Sequence, residues 1–186
     1  MIYIVRHGET EWNKLNKLMG RCDISLNEEG FEQAEKLSDT LKNLDFDFII
    51  TSPLKRTIQT ADVISKAKNV PIILDKRLEE RNFGELRGLN PLSIDYKSYW
   101  DYYRNKPLMY GEDMKTFFKR IYGALDDIVE KYQGINILLV LHYGVSIPVS
   151  CYFTEIIPPG SLIDYKFGLK NCEVKAYGSE IRRKIR

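Results

Sequence analysis

The chain has only two histidines, His7 and His142. Each follows a short apolar run, Ile2-Tyr3-Ile4-Val5 (then Arg6) or Ile135 to Leu141, and each has a glycine within two residues, Gly8 or Gly144. Histidine can be neutral and nucleophilic, or charged and donating, near neutral pH. Arg6 stands directly before the first histidine, and Arg56 closes the stretch Ser52-Pro53-Leu54-Lys55-Arg56 after another apolar run. Guanidinium groups present a planar fork of donors that suits phosphate oxygens. Brought together, these four side chains describe a pocket for a phosphate dianion with a nucleophile at its floor. Arginine charge beside His7 disfavours its protonated form, so the ring keeps a lone pair for attack. His142, facing the phosphate oxygens, would be held protonated and would donate. Removing one preorganised donor from such a site typically costs about 10²–10³ in rate.

Phosphate transfer also needs an acid for the leaving oxygen and later a base for water. Leu78-Glu79-Glu80-Arg81-Asn82-Phe83-Gly84 supplies two carboxylates, Glu79 and Glu80. Their spacing alone does not choose between them.

These groups need elements that end side by side. Ile2 to Val5 and Phe48 to Ile50 read as buried strands, Val70 to Leu74 as a third short strand, and Ile135 to Leu141 as the strongest, apolar at six of seven positions. Asn27 is a candidate N-cap for a helix carrying Phe31, Ala34, Leu37 and Leu41 at helical spacing. A second helix should start near Pro53 and bury Ile58, Ala61 and Ile64. Residues 92–131 read as helical, with a stripe of Phe117, Ile121, Leu125, Ile128 and Tyr132 in their second half. A further helix follows His142, and Ile163 to Phe167 and Glu173 to Tyr177 read as closing strands. Strands alternating with helices imply a three-layer α/β/α domain around a mostly parallel sheet. Ligands of such sheets bind beyond the carboxyl ends of the strands. Arg6-His7-Gly8, Ser52 to Arg56 and His142-Tyr143-Gly144 should therefore meet in space.

Length and composition fit one domain over residues 1–186 that needs neither metal nor disulfide to fold. The net charge of +2 does not suggest a nucleic-acid protein, and no apolar run is long enough for a bilayer. Three cysteines without a C-x-x-C pattern suit a reducing cytoplasm. The last eight residues, Ser179 to Arg186, hold four of the 28 Lys and Arg, which reads as a solvated basic terminus. Tyr96, Tyr99, Trp100, Tyr102, Tyr103 and Tyr110 form an aromatic-rich segment that could cap the pocket within about residues 92–115, although an aromatic stripe is more often core. Arg104 and Lys106 beside it need no ligand to be explained.

Arg6-His7-Gly8-Glu9-Thr10-Glu11-Trp12-Asn13 resembles the R-H-G-x-T/S-x-x-N signature of the histidine phosphatase superfamily, which includes the cofactor-dependent phosphoglycerate mutases. Further matches run in order: Asp23 to Gly30, Ser52 to Ala61, Leu78 to Gly88, and Gly111-Glu112-Asp113 with Arg120 downstream. The resemblance implies that His7 is the nucleophile, that Arg6, Arg56 and His142 clamp phosphate with Asn13 nearby, and that Glu80, counted back from Gly84, is the acid and base. It implies no metal and no cofactor.

Two positions depart from the pattern. The family usually has glycine directly after the second histidine, where the backbone amide faces phosphate; here Tyr143 intervenes, and its ring must point away or roof the pocket as a substrate contact. After Gly88-Leu89-Asn90 the mutases place a lysine for a second acidic group, and here Pro91 stands. The chain is also short for a mutase, and Phe167 to Val174 resembles the closing strands of the phosphatase branch. The expected activity is hydrolysis of a small phosphorylated metabolite, a phosphomonoester, through a phosphohistidine. A mutase, or a phospho-ligand binding module without turnover, are the alternatives.

Overall fold

The computed structural model describes residues 1–178, so the basic terminus expected to be solvated lies outside the described residues. Five strands form one sheet: β1 (Ile2–Arg6), β2 (Phe48–Thr51), β3 (Ile72–Leu74), β4 (Ile137–Leu141) and β5 (Val174–Tyr177). Their order is β3-β2-β4-β1-β5. The first four are parallel, and β5 runs antiparallel along β1. Five helices accompany them: α1 (Glu11–Lys14), α2 (Glu28–Leu41), α3 (Lys55–Lys68), α4 (Met114–Lys131) and α5 (Tyr143–Thr154).

Two apolar clusters make the three layers. Val5, Ile49, Leu138 and Val140 face Leu37 and Leu41 of α2 and Ala61 and Ile64 of α3. On the other face Ile4, Ile50, Leu139 and Leu141 meet Phe117, Ile121 and Leu125 of α4 and Val145 and Val149 of α5. β4 is buried at all five positions because helices cover both sides of it. Asn27 caps α2 as its sequence implies, its side chain accepting from Gly30 N–H at 2.8 Å. Among the described residues no helix is long and apolar enough to cross a membrane.

The structure corrects several expectations. Residues 92–113 are not a helix. They form two 3₁₀ turns, Pro91–Ser93 and Tyr96–Trp100, and then an irregular stretch up to α4. Asn105 and Tyr110 take positive φ there, which no helix allows, and Pro107 lies between them. Ile163 to Phe167 is not a strand. Its alternation is spent on a 3₁₀ turn, Leu162–Tyr165, that buries Leu162 and ends in a left-handed Lys166. Pro53 precedes the N-cap of α3, and that helix buries Arg56, Thr57 and Thr60 with Ala61 and Ile64, leaving Ile58 half-buried.

Candidate active site

β1 and β4 are parallel neighbours in the register Arg6↔Leu141, so their carboxyl ends release His7 and His142 side by side. The His7 N–H extends the ladder onto Leu141 C=O at 3.0 Å. The two imidazoles stand edge to face with centroids 5.3 Å apart. β2 ends level with them, and Thr51-Ser52 leads into α3, whose second residue is Arg56. The three polar clusters thus converge at one edge of the sheet.

Hydrogen bonds fix the state of each ring. His7 Nδ1 lies 2.7 Å from Gly8 C=O, an acceptor only, so Nδ1 carries the proton and Nε2 the lone pair. Arg56 Nε–H points at that Nε2 from 3.2 Å and at His142 Nδ1 from 3.2 Å. His142 Nε2 then donates to Ser52 Oγ at 2.8 Å. Both rings are pushed well below the ordinary imidazole pKa of 6.5, by burial first and by Arg56 second. Arg56 has 0% exposure and its pKa is lowered by burial to about 10, which leaves it charged at neutral pH. Its terminal nitrogens donate to Cys22 C=O at 2.7 Å and Gly20 C=O at 2.8 Å, which ties the loop after α1 to the site.

A cleft of about 400 Å³ opens over this edge, with Arg6, His7, Arg56 and Glu80 at its charged end. Glu80 is only 7% exposed. One carboxylate oxygen accepts from Arg81 N–H at 2.7 Å and the other from Gly144 N–H at 2.9 Å. Burial pushes its pKa up, and those two amides and the nearby arginines oppose the rise. Glu79 turns the other way, into an ion pair with Arg21 at 3.3 Å. Of the two carboxylates, Glu80 borders the cleft and Glu79 does not. Asn13 lines the cleft too, while its side-chain oxygen accepts from Thr10 N–H and so completes the capping box of α1.

His142 is fully buried beside His7 and Arg56, both its ring nitrogens are taken by protein groups, and the ring does not border the cleft. That differs from the expected protonated donor open to phosphate. Tyr143 borders the cleft.

The sequence pattern of the family described as Histidine phosphatase superfamily (branch 1) matches residues 2–181. The chain belongs to the histidine phosphatase superfamily. Among its relatives is a protein named "Probable phosphoglycerate mutase GpmB" from Escherichia fergusonii, 32% identical over 179 residues, covering 93% of this chain and 82% of that one. Another, named "Uncharacterized phosphatase PhoE", is from Bacillus subtilis, 35% identical over 142 residues, covering 76% of this chain and 70% of that one. Among solved structures, YhfR of Bacillus stearothermophilus superimposes with a TM-score of 0.81 at 26% identity, covering 93% of this chain and 88% of that one. A phosphoserine phosphatase of Entamoeba histolytica, solved with phosphoserine, gives a TM-score of 0.79 at 28% identity over 93% of this chain and 87% of that one.

Several groups around this superfamily member's site, Arg120 of the motif matches among them, make contacts that those matches do not specify. Asn171 Nδ2–H donates to His7 C=O at 2.8 Å from far along the chain, and its side chain borders the cleft. Arg120 holds Glu112 by two hydrogen bonds of 2.8 Å and donates to Glu79 C=O at 2.9 Å, which braces the backbone under Glu80. Arg21 joins the same network through Glu112 at 3.0 Å. No local pattern announces such pairings, because the partners come from separate elements. The aromatic segment divides: Trp100 is fully buried core, Tyr96 is part of the cleft wall, and Tyr103 and Tyr110 face solvent. Lys106 stands 4.0 Å from the Tyr99 ring centroid and bonds Ser98.

Proposed function

We propose that this member of the superfamily hydrolyses phosphomonoesters of a small metabolite through a phosphohistidine on His7. The observation that carries the reading is the His7 ring, deprotonated at Nε2, beside Arg56 at the floor of the cleft. In the proposed reaction Nε2 attacks phosphorus in line, the P–O bond to the alcohol breaks, and Glu80 gives its proton to the leaving oxygen. Glu80 then takes a proton from water, which attacks the phosphohistidine and releases phosphate. The covalent step divides one hard transfer into two easier ones. Arg6 and Arg56 hold the equatorial oxygens, where developing charge is greatest, and Asn13 and Tyr143 border the same space. A phosphate dianion beside Arg56 draws its Nε–H away from the rings. His142 Nδ1 is then free to take up a proton and donate to phosphate.

Hydrolysis is favoured over mutation by what borders the outer cleft. Pro91 lies where the resemblance to mutases has a lysine, and among the described residues Lys17 is the one cation bordering the cleft beyond the charged floor. A mutase must grip a second acidic group firmly enough to re-donate the phosphoryl group. The test is phosphate release from a generic phosphomonoester by wild type and His7→Ala, with and without EDTA, and product analysis on 3-phosphoglycerate. His7→Ala is expected to lose at least about 10³ in rate, EDTA to change nothing, and 3-phosphoglycerate to yield free phosphate or no reaction. Full activity in His7→Ala rejects the mechanism, and isomerised product without free phosphate establishes the mutase instead.

A further inference from the structure

The ring that stands where the superfamily resemblance has a glycine sits in surroundings shaped for it. Gly168 lies against Tyr143, and a methyl group added there would overlap the Cε2 and Cζ atoms of the ring. Trp100 meets the ring edge-on with centroids 6.5 Å apart. The guanidinium carbon of Arg6 stands 5.5 Å from the ring centroid, within the range where a cation is drawn to an aromatic face. Three hydrogen bonds close this contact into a loop. Arg6 donates to Leu169 C=O at 3.3 Å, Leu169 N–H donates to Ser146 Oγ at 3.0 Å, and Ser146 O–H donates to Tyr143 C=O at 2.7 Å. Arg6 Nε is nonetheless buried with no partner among the described residues, although Arg6 borders the cleft. Buried donors rarely go unpartnered, and one beside a cleft is open to an anionic ligand there.

We propose that Tyr143 is a positioning residue for phosphate: seated on Gly168, its ring holds the Arg6 guanidinium at the angle from which Nε–H meets a phosphate oxygen. The proposal rests on the phosphate-handling reading of the cleft given above. It is tested by calorimetric titration with inorganic phosphate, which needs no turnover, alongside melting temperatures for every variant. Tyr143→Leu weakens phosphate binding about tenfold, the scale of a partly desolvated cation–π contact, and Tyr143→Phe recovers most of the loss. In an Arg6→Ala background Tyr143→Leu has no further effect. Gly168→Ala weakens binding by displacing the ring, and loses that effect when Tyr143→Gly makes room for the methyl group. This last comparison decides the matter if Tyr143→Leu melts early. Additive losses with Arg6→Ala, Tyr143→Phe binding no better than Tyr143→Leu, or a Gly168→Ala effect that persists beside Tyr143→Gly would each overturn the proposal. Wild type that binds phosphate yet hydrolyses nothing overturns the hydrolase reading and leaves this one standing. Wild type that binds no phosphate overturns both.

Discussion

The proposed attack on phosphorus needs an unprotonated imidazole, and burial pushes His7 that way at a cost that pH exposes. Both histidines have folded-state pKa values below 6.5. Below pH 6.5 the unfolded chain therefore binds protons that the folded one refuses. Stability is complete above 6.5 and is lost as pH falls toward the folded values, by about 1.4 kcal/mol per pH unit for each ring. The melting temperature is expected to fall between pH 7 and pH 5, and to fall less in His142→Asn. An unchanged slope in that variant would show that the acid sensitivity arises elsewhere. Glu80 has the opposite sign, since burial raises its pKa above 4.5 and keeps its proton on to higher pH. With Glu80 as the acid, kcat/KM declines on the alkaline side as that proton leaves and on the acid side as His7 gains one. Glu80→Gln should remove the alkaline limb and slow turnover of poor leaving groups more than of nitrophenol.

Elements meet at the site backbone to backbone. A Cβ at Gly30 in the first turn of α2 would overlap Glu9 C=O, and one at Gly8 would overlap Gly30 C=O. Glycine is required at both by close approach, and α2 thereby presses the loop that carries His7 into place. Gly30→Ala is expected to cost about 1–3 kcal/mol by overpacking, and to lower kcat more than KM because it shifts His7, the proposed nucleophile. Equal stability and activity would show that the loop yields freely. Elements with a long apolar period, α2 and the stripe of α4, were legible in the sequence, as were the buried runs of β1, β2 and β4. Residues 92–113 were not. Their aromatic spacing mimics a helix, but the buried Trp100 is held by Phe83, Tyr96 and Phe117 through ring contacts that no local period encodes.

At the scale of the molecule the cleft collects β1, the loop after α1, α3, the stretch 80–83, the start of α5 and Asn171. A phosphate bound there ties distant segments of chain together, so it should resist unfolding as a whole. At a hundredfold excess over its Kd, phosphate is expected to stabilise the protein by about 2.7 kcal/mol, read as a rise in melting temperature that His7→Ala with Arg56→Ala abolishes. The convergence of Arg6, His7, Arg56 and His142 was legible because parallel strands must end at one edge, whereas Glu80 was legible only through the family resemblance. The bracing by Arg120 and Arg21 and the bond from Asn171 were not, since each joins residues that only the finished fold makes neighbours.

The strand order carries a kinetic consequence. β1 has two sheet partners, β4 and β5, and both come from the last third of the chain. On the ribosome Ile2 waits for Ile137 before a single ladder bond can form, while β2 and β3 can already pair. The segment that ends in His7 therefore stays unpaired longest, and its loop closure is of the kind that makes folding slow and nascent chains prone to associate.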